Sequence, residues 1–173
     1  MVLKEVYRIQ DKVKMISLDT SSTKTGWAYF ENGEYVISDV INLNTKDLQK
    51  KYKGKSDDRI RDMCLNIINL CEKYKPDIVV IEKLNVGRNM NATRILSKII
   101  GVVYGWTIIN QCTYYEIQAT EWRGKLGMQS SKRKREEYKQ LSIDYIRNAI
   151  GKEVNDDEAD SICAGFGYIK MFS

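Results

Sequence analysis

The run Ile78-Val79-Val80-Ile81 constrains this chain more than any other segment. It is apolar without alternation, with Pro76-Asp77 before it and Glu82-Lys83 after it. Such a strand is covered on both faces, as in the parallel part of a sheet. The preceding stretch, 56–75, reads as a helix. Ser56 suits its N-cap, Asp57 and Asp58 suit the positive end of its dipole, and Pro76 stops it. Ile60, Met63, Cys64, Ile67, Ile68 and Cys71 form its apolar face. A second helix, about 91–109, carries Ile95, Leu96, Ile99, Ile100, Val103 and Trp106. Gly101 and Gly105 lie on one side of it and would admit a close neighbour, either the sheet or a second subunit.

Ahead of these helices stand three strand patterns, 14–20, 26–30 and 34–42. Asn32-Gly33 marks a tight hairpin, because both residues tolerate positive φ. Tight turns make these three strands antiparallel. After the second helix come a strand at about 112–117, a polar, basic loop to about 131, a helix over 132–150, and a last helix over about 157–170. A strand–helix–strand crossover is right-handed and sets its strands parallel. The expected fold is α/β: a mixed five-stranded sheet, three antiparallel strands followed by parallel ones, flanked by helices. Residues 1–173 read as one domain, with 1–13 as an N-terminal extension of no assigned function.

Composition narrows the chemistry. With no histidine in 173 residues, Ser-His and Cys-His catalysis are excluded. Acid–base work falls to carboxylates, lysines, tyrosines or metal-activated water. Cys64, Cys71, Cys112 and Cys163 show no zinc-like spacing, and Cys64 and Cys71 read as small hydrophobes in a core. Uninterrupted apolar runs fall short of the roughly 18–20 residues that span a bilayer. The N-terminus lacks a signal-peptide core, so a cytoplasmic protein with no membrane association is expected. The net charge of +5 is unevenly spread, with Lys132-Arg133-Lys134-Arg135 and four lysines in 50–55. Basic clusters beside clustered acids suit a polyanion brought to a metal site.

Those acids are Asp19, Glu82, Asp157 and Asp160. Asp19 and Glu82 each end a central strand and emerge at the same sheet edge, where ligands of open α/β sheets bind. Asp157 and Asp160 open the last helix on one face. Each also has an ordinary explanation. Asp19 would start a turn, Glu82 would pair with Lys83 or Arg88, and Asp156, Asp157 and Glu158 would favour a helix N-terminus. Asp160 resists that reading, because it sits among Ala159, Ile162 and Cys163, and a carboxylate beside a buried stripe is costly unless paired or metal-bound. Asp156 is an alternative to Asp157 as ligand, since 156 and 160 are also neighbours on a helix. Carboxylates from separate elements supply the oxygens that hard cations need. Two such cations about 3.5–4 Å apart activate water and stabilise a departing oxygen in phosphodiester hydrolysis.

The segments Ser17-Leu18-Asp19 with Gly26 after it, Val80-Ile81-Glu82, and Asp157-Glu158-Ala159-Asp160-Ser161-Ile162 resemble RuvC-type Holliday-junction resolvases. So does the stretch from Glu82 through Gly101, with Arg88-Asn89 ahead of a helix ending in a Gly-Val run. The resemblance covers about 14–168 and rests on order and spacing, since each motif is short. It implies a ribonuclease H-like fold, a homodimer, and Mg²⁺-dependent nicking of four-way DNA junctions that leaves 5′-phosphate and 3′-hydroxyl ends, with Mn²⁺ able to substitute. Two ions per site are implied, bridged by Asp19 and completed by Glu82, Asp157 and Asp160. Where the cellular enzymes carry an aromatic residue that helps to open the junction, this chain has Asn85. That departure resembles the bacteriophage branch, and 19 lysines against 9 arginines are compatible with it.

Branched DNA, including forks and flaps, is the expected partner. Arg88, Arg94 and Lys98 are expected near phosphates at the metal site; Arg123, Lys125, Lys132, Arg133, Lys134 and Arg135 are expected on the junction arms. Trp122 is read as either stacking on a splayed base or packing in a core or interface. Three competing readings remain: an RNA-processing nuclease of the same fold, a non-catalytic branched-DNA binder, and a sugar-kinase/actin-type ATPase suggested by Asp19–Gly26. The ATPases need two such domains, for which the chain has no room.

Overall fold

A computed structural model describes residues 12–84, 90–128 and 134–173. Its sheet has five strands: β1 (Lys14–Asp19), β2 (Lys24–Glu31), β3 (Glu34–Asn42), β4 (Ile78–Glu82) and β5 (Thr113–Ile117). The spatial order is β3-β2-β1-β4-β5, with β1, β2 and β3 antiparallel and β4 and β5 parallel to β1. This is the mixed sheet that the strand patterns predict. Asn32 (φ 52°) and Gly33 (φ 81°) make the β2–β3 hairpin in the left-handed region. Ile78, Val79, Val80 and Ile81 are all buried, covered on both faces as their unalternated pattern requires.

Six helices are described: α1 (Lys46–Lys51), α2 (Ser56–Tyr74), α3 (Met90–Ile109), α4 (Ala119–Lys125), α5 (Arg135–Ile150) and α6 (Asp156–Phe172). One face of the sheet, through Ile16, Leu18, Val79 and Ile81, packs on α2 and α3. The other, through Met15, Ala28, Phe30, Ile78 and Val80, packs on α4, α5 and α6. Cys64 and Cys71 are buried free thiols, and burial pushes Cys71 up to about 12, so both behave as small hydrophobes.

Four local expectations need correction. Ser56 is the first helical residue of α2 rather than its cap; Lys55 holds that place without a side-chain bond. The segment 118–131 is not all loop, because α4 occupies its first half, closed by Glu121 accepting the Gln118 N–H at 2.7 Å. Short α1, capped by Thr45, has too few apolar positions to register as a periodic helix. Lastly, α3 is long and apolar enough to cross a bilayer by length and composition, although no uninterrupted run suggested it. Its Ile99, Val103, Trp106 and Thr107 are buried in this fold, and Lys98 pairs with Asp57 of α2.

Helix α6 lies unusually close to the sheet and to α4. A Cβ on Gly165 would fall 2.4 Å from the Phe30 ring and 2.9 Å from Ser17 Oγ; one on Gly167 would fall 2.4 Å from Trp122 Cβ. In the same seam the Ser17 hydroxyl donates to the Ser161 carbonyl at 2.7 Å. The tightest approach is at Gly26, where a Cβ would stand 1.9 Å from the Asp157 carbonyl oxygen. Backbone on both sides leaves nothing that can rotate aside. Gly26→Ala is therefore expected to cost about 1–3 kcal/mol or more in urea unfolding. An unchanged unfolding midpoint would show that α6 can shift away freely.

Candidate active site at the carboxyl edge of the sheet

Strand pairing puts two of the acids side by side. Leu18 is level with Ile81 in the parallel β1–β4 ladder, so Asp19 and Glu82 leave the sheet together. Across the other ladder Asp19 faces Gly26, the residue whose missing side chain admits the first turn of α6. That turn carries Asp157, with Asp160 one turn later on the same face, and it is capped by the Asn155 side chain, which accepts the Glu158 N–H at 3.0 Å. A cavity of about 310 Å³ is lined by Asp19, Glu82, Asp156, Asp157 and Asp160, with Arg123, Arg135 and Lys139 in its wall. On the far side of Asp19 and Glu82, a cavity of about 200 Å³ is walled by Thr20, Lys83, Leu84, Leu96 and Ile100.

Burial and crowding set the electrostatics. The Asp19 carboxyl is pushed well above its ordinary value by burial first, then by Glu82, Asp160, Asp157 and Asp156. Burial also raises Glu82, opposed by the hydrogen bond from Trp122 and by the Arg123 charge. Asp160 is raised by burial, offset in part by the Ser142 hydroxyl and Arg123. Its Oδ1 is buried with no hydrogen-bond partner, an expensive state for a carboxylate oxygen. Asp157 is raised by burial and by Asp156. Asp156 goes the other way: its ion pair with Lys139 holds it below the usual range.

All four expected acids thus border one cavity. Among the described residues, no three acidic, cysteine or histidine side chains stand close enough to form a ready coordination shell. The donor set is nevertheless one that hard cations use: oxygen only, like-charged, crowded, and with one buried oxygen unpaired. Asp156 is already engaged by Lys139, which favours Asp157 over it as the third ligand.

The basic residues divide. Arg123 and Arg135, expected on the junction arms, line the acid cavity; the Arg123 guanidinium lies 4.6 Å from the Trp122 ring and 4.7 Å from the Tyr138 ring. Lys125 and Lys134 are exposed at the end of α4 and the start of α5. Arg94 and Lys98 border a separate cavity between the N-terminal turns of α2 and α3, away from the acids. Arg88, Lys132, Arg133 and Asn85 lie outside the described residues, as does 1–11 of the N-terminal extension.

Trp122 stacks on no base here: it is wholly buried, and its Nε1 donates to Glu82 Oε2 at 3.1 Å. Sequence reasoning also missed Lys139 and Glu158. Glu158 is buried and accepts from Lys152 Nζ and Ser38 Oγ, each at 2.6 Å, which ties the first turn of α6 to β3. Lys139 stands in no motif, and Glu158 stands in one only as the residue between two acids, so tertiary structure alone reveals what each of them holds.

No protein-family model matches the sequence, and no curated protein does. Solved structures do resemble it in fold. Thermus thermophilus RuvC in complex with a Holliday junction substrate superposes with a TM-score of 0.68 at 10% identity, covering 91% of this chain and 94% of that one. A second Thermus thermophilus RuvC structure gives 0.64 at 12% identity over the same shares. The yeast mitochondrial Holliday junction resolvase Ydc2 gives 0.59 at 15% identity, covering 95% of this chain and 81% of that one. At these identities the likeness is one of fold, and the chain has the α/β ribonuclease H-like architecture.

Removing one charge from the cluster tests its electrostatics. Asp19→Asn is expected to raise the Tm of the cation-free protein at pH 7 by about 2–4 °C, the equivalent of about 1 kcal/mol. A raised carboxyl binds its proton more tightly in the folded protein than in the unfolded chain. Asp19 therefore costs stability above its ordinary value of 3.8, and the cost fades as pH falls toward it. Melts of variant and wild type should converge on acidification; a gap independent of pH would refute mutual repulsion.

Proposed function

We propose that this chain is a structure-selective DNA endonuclease that resolves four-way junctions by metal-dependent hydrolysis, leaving 5′-phosphate and 3′-hydroxyl ends. The observation that carries this reading is the acid cavity: carboxylates from β1, β4 and α6 around one hollow with cationic walls. Support also comes from the fold, shared with Thermus thermophilus RuvC and with the yeast enzyme. The departure at Asn85 and the lysine excess support placement in the bacteriophage branch.

Asp19, Glu82, Asp157 and Asp160 would hold Mg²⁺ or Mn²⁺, two ions in the fullest case. When bound, such ions lower the pKa of water and stabilise charge on the phosphoryl oxygens. The residues of this chain do the rest. Arg123, held between two aromatic rings, presents a fixed cation to a phosphate entering the cavity. Lys139 neutralises Asp156 and so limits the total charge that repels DNA. Lys125 and Lys134, exposed beside the cavity, suit flanking phosphates, whose contacts add affinity without sequence information.

Cutting two strands of one junction needs two such sites, which a symmetric pair of chains supplies. Helix α3 offers the surface for it. Ile109 is 82% exposed, Ile108 61% and Tyr104 51%, and among the described residues nothing beyond the helix's own adjoining backbone comes within 4 Å of where a Cβ would stand on Gly101 or Gly105. The close neighbour those glycines admit is therefore not the sheet, and we assign it to a second copy. Light scattering should give about twice 20.1 kDa, and Ile108→Asp with Ile109→Asp should give the monomer. A monomeric wild type at micromolar concentration would remove the pairing.

The activity test compares four-way, forked and linear DNA with structured RNA under a Mg²⁺ titration. Asp19→Asn, Glu82→Gln and Asp160→Asn should each abolish nicking while keeping junction binding within about threefold in Ca²⁺, a change under about 0.7 kcal/mol. Retained nicking by any variant removes that residue from the site. Preferred cleavage of RNA would redirect the substrate, and tight junction binding without cleavage would make the protein a binder.

A further inference from the structure

We infer that Trp122 is a positioning residue for the metal centre: its indole N–H ties down one oxygen of Glu82 and leaves the other available to a divalent cation. The inference rests on the nuclease reading above and deepens it. A buried indole N–H needs an acceptor, and here that acceptor is Glu82 Oε2, 3.1 Å away. The ring itself cannot move. It is wholly buried and covered by the Arg123 guanidinium, and the Cβ that carries it meets Gly167 where no side chain could share the space. A rigid donor on α4 therefore fixes the rotamer of a carboxylate borne by β4.

Two consequences follow from that geometry. The glutamate, with three rotatable bonds, is ordered before any cation arrives, so binding does not have to supply that ordering. The hydrogen bond also occupies Oε2, so the oxygen that lacks this donor is the one left for a cation. Partners of this kind, one bond behind a ligand, typically account for about 10–100-fold in metal affinity. Arg123 shares the Trp122 ring, so the same side chain sets both a carboxylate and a cation of the cavity wall.

The chain supplies its own control. Trp106 Nε1 donates to Glu72 at 2.7 Å, the same pair of groups placed between α3 and α2 and outside the acid cavity. With the full chain labelled with ¹⁵N at its three tryptophans, Mg²⁺ titration should shift the Trp122 indole signal saturably and leave the Trp106 signal in place. Trp122→Phe, which keeps most of the ring and removes the donor, should weaken Mn²⁺ binding about 10–100-fold by electron paramagnetic resonance. Excess metal should restore its nicking rate with KM for DNA unchanged. If that variant does not fold, Trp27→Phe and Trp106→Phe assign the signals and the wild-type titration decides alone. A Trp122 signal that stays still while the protein binds Mn²⁺, or a Trp122→Phe variant with wild-type Mn²⁺ affinity, overturns this inference and spares the nuclease reading. A wild type that binds neither ion removes the metal centre and this inference with it.

Discussion

The site depends on how closely the last helix lies against the sheet. Backbone of α6 meets backbone of β2 at Gly26, and Gly165 and Gly167 carry the same contact along Phe30 and Trp122. Each added methyl would open that seam by an ångström or more, and the interior has no slack to absorb it. Because Gly26 is paired with Asp19, the seam is also what brings Asp157 and Asp160 to the end of β1. Small residues in α6 thus set the position of the acids without touching them. The Ser17–Ser161 bond and the buried Lys152–Glu158–Ser38 group hold the same helix from both sides.

That closeness forces like charges together. Two unit charges about 4 Å apart repel by roughly 4 kcal/mol at an effective dielectric of 20. Chain folding gains nothing from such a cluster, and the carboxyls of Asp19, Glu82, Asp157 and Asp160 are raised, by burial first and by neighbouring acids second. The fold offsets this cost through the two apolar layers on either side of the sheet, and locally through Arg123, Lys139 and the Trp122 N–H. Stability given up at a site while the rest of the fold is consistent is the usual mark of function. Only one acid at the mouth, Asp156, is fully compensated inside the chain, and it is the one least suited to act as a ligand.

Much of the frame was legible because it rests on local pattern. The unalternated Ile78–Ile81, the Asn32-Gly33 turn and the striped helices specify a mixed sheet and the shared exit of Asp19 and Glu82, though not the spatial order of the strands. What escaped depends on distant contact. Helix α4 buries little beyond Ala119 and Trp122 within a polar stretch, too sparse a set to show a period. Arg123 reads as one more surface cation until two aromatic rings are seen to hold it inward. Gly26 follows Asp19 in the sequence as a motif position, yet its physical reason is a carbonyl 131 residues further along the chain. Lys139 and Glu158 have partners that no spacing rule connects.

The two faces of the sheet divide the work. Helices α4, α5 and α6, on one face, carry most of the groups in the acid cavity. Helix α3, on the other, buries only a narrow stripe and leaves Met90, Tyr104, Ile108 and Ile109 outside. A helix apolar on most of its circumference is normally covered on most of it. Single exposed hydrophobes need no explanation, but several on one helix beside two glycines with open space over them among the described residues do. A second copy packed there would bury that stripe without approaching the α4–α6 face, so the proposed pairing and the proposed site would make no competing demands on the same residues. Leu96 and Ile100, which wall the smaller cavity behind Asp19 and Glu82, lie on that same helix, so any shift of α3 on pairing would reach the acids directly.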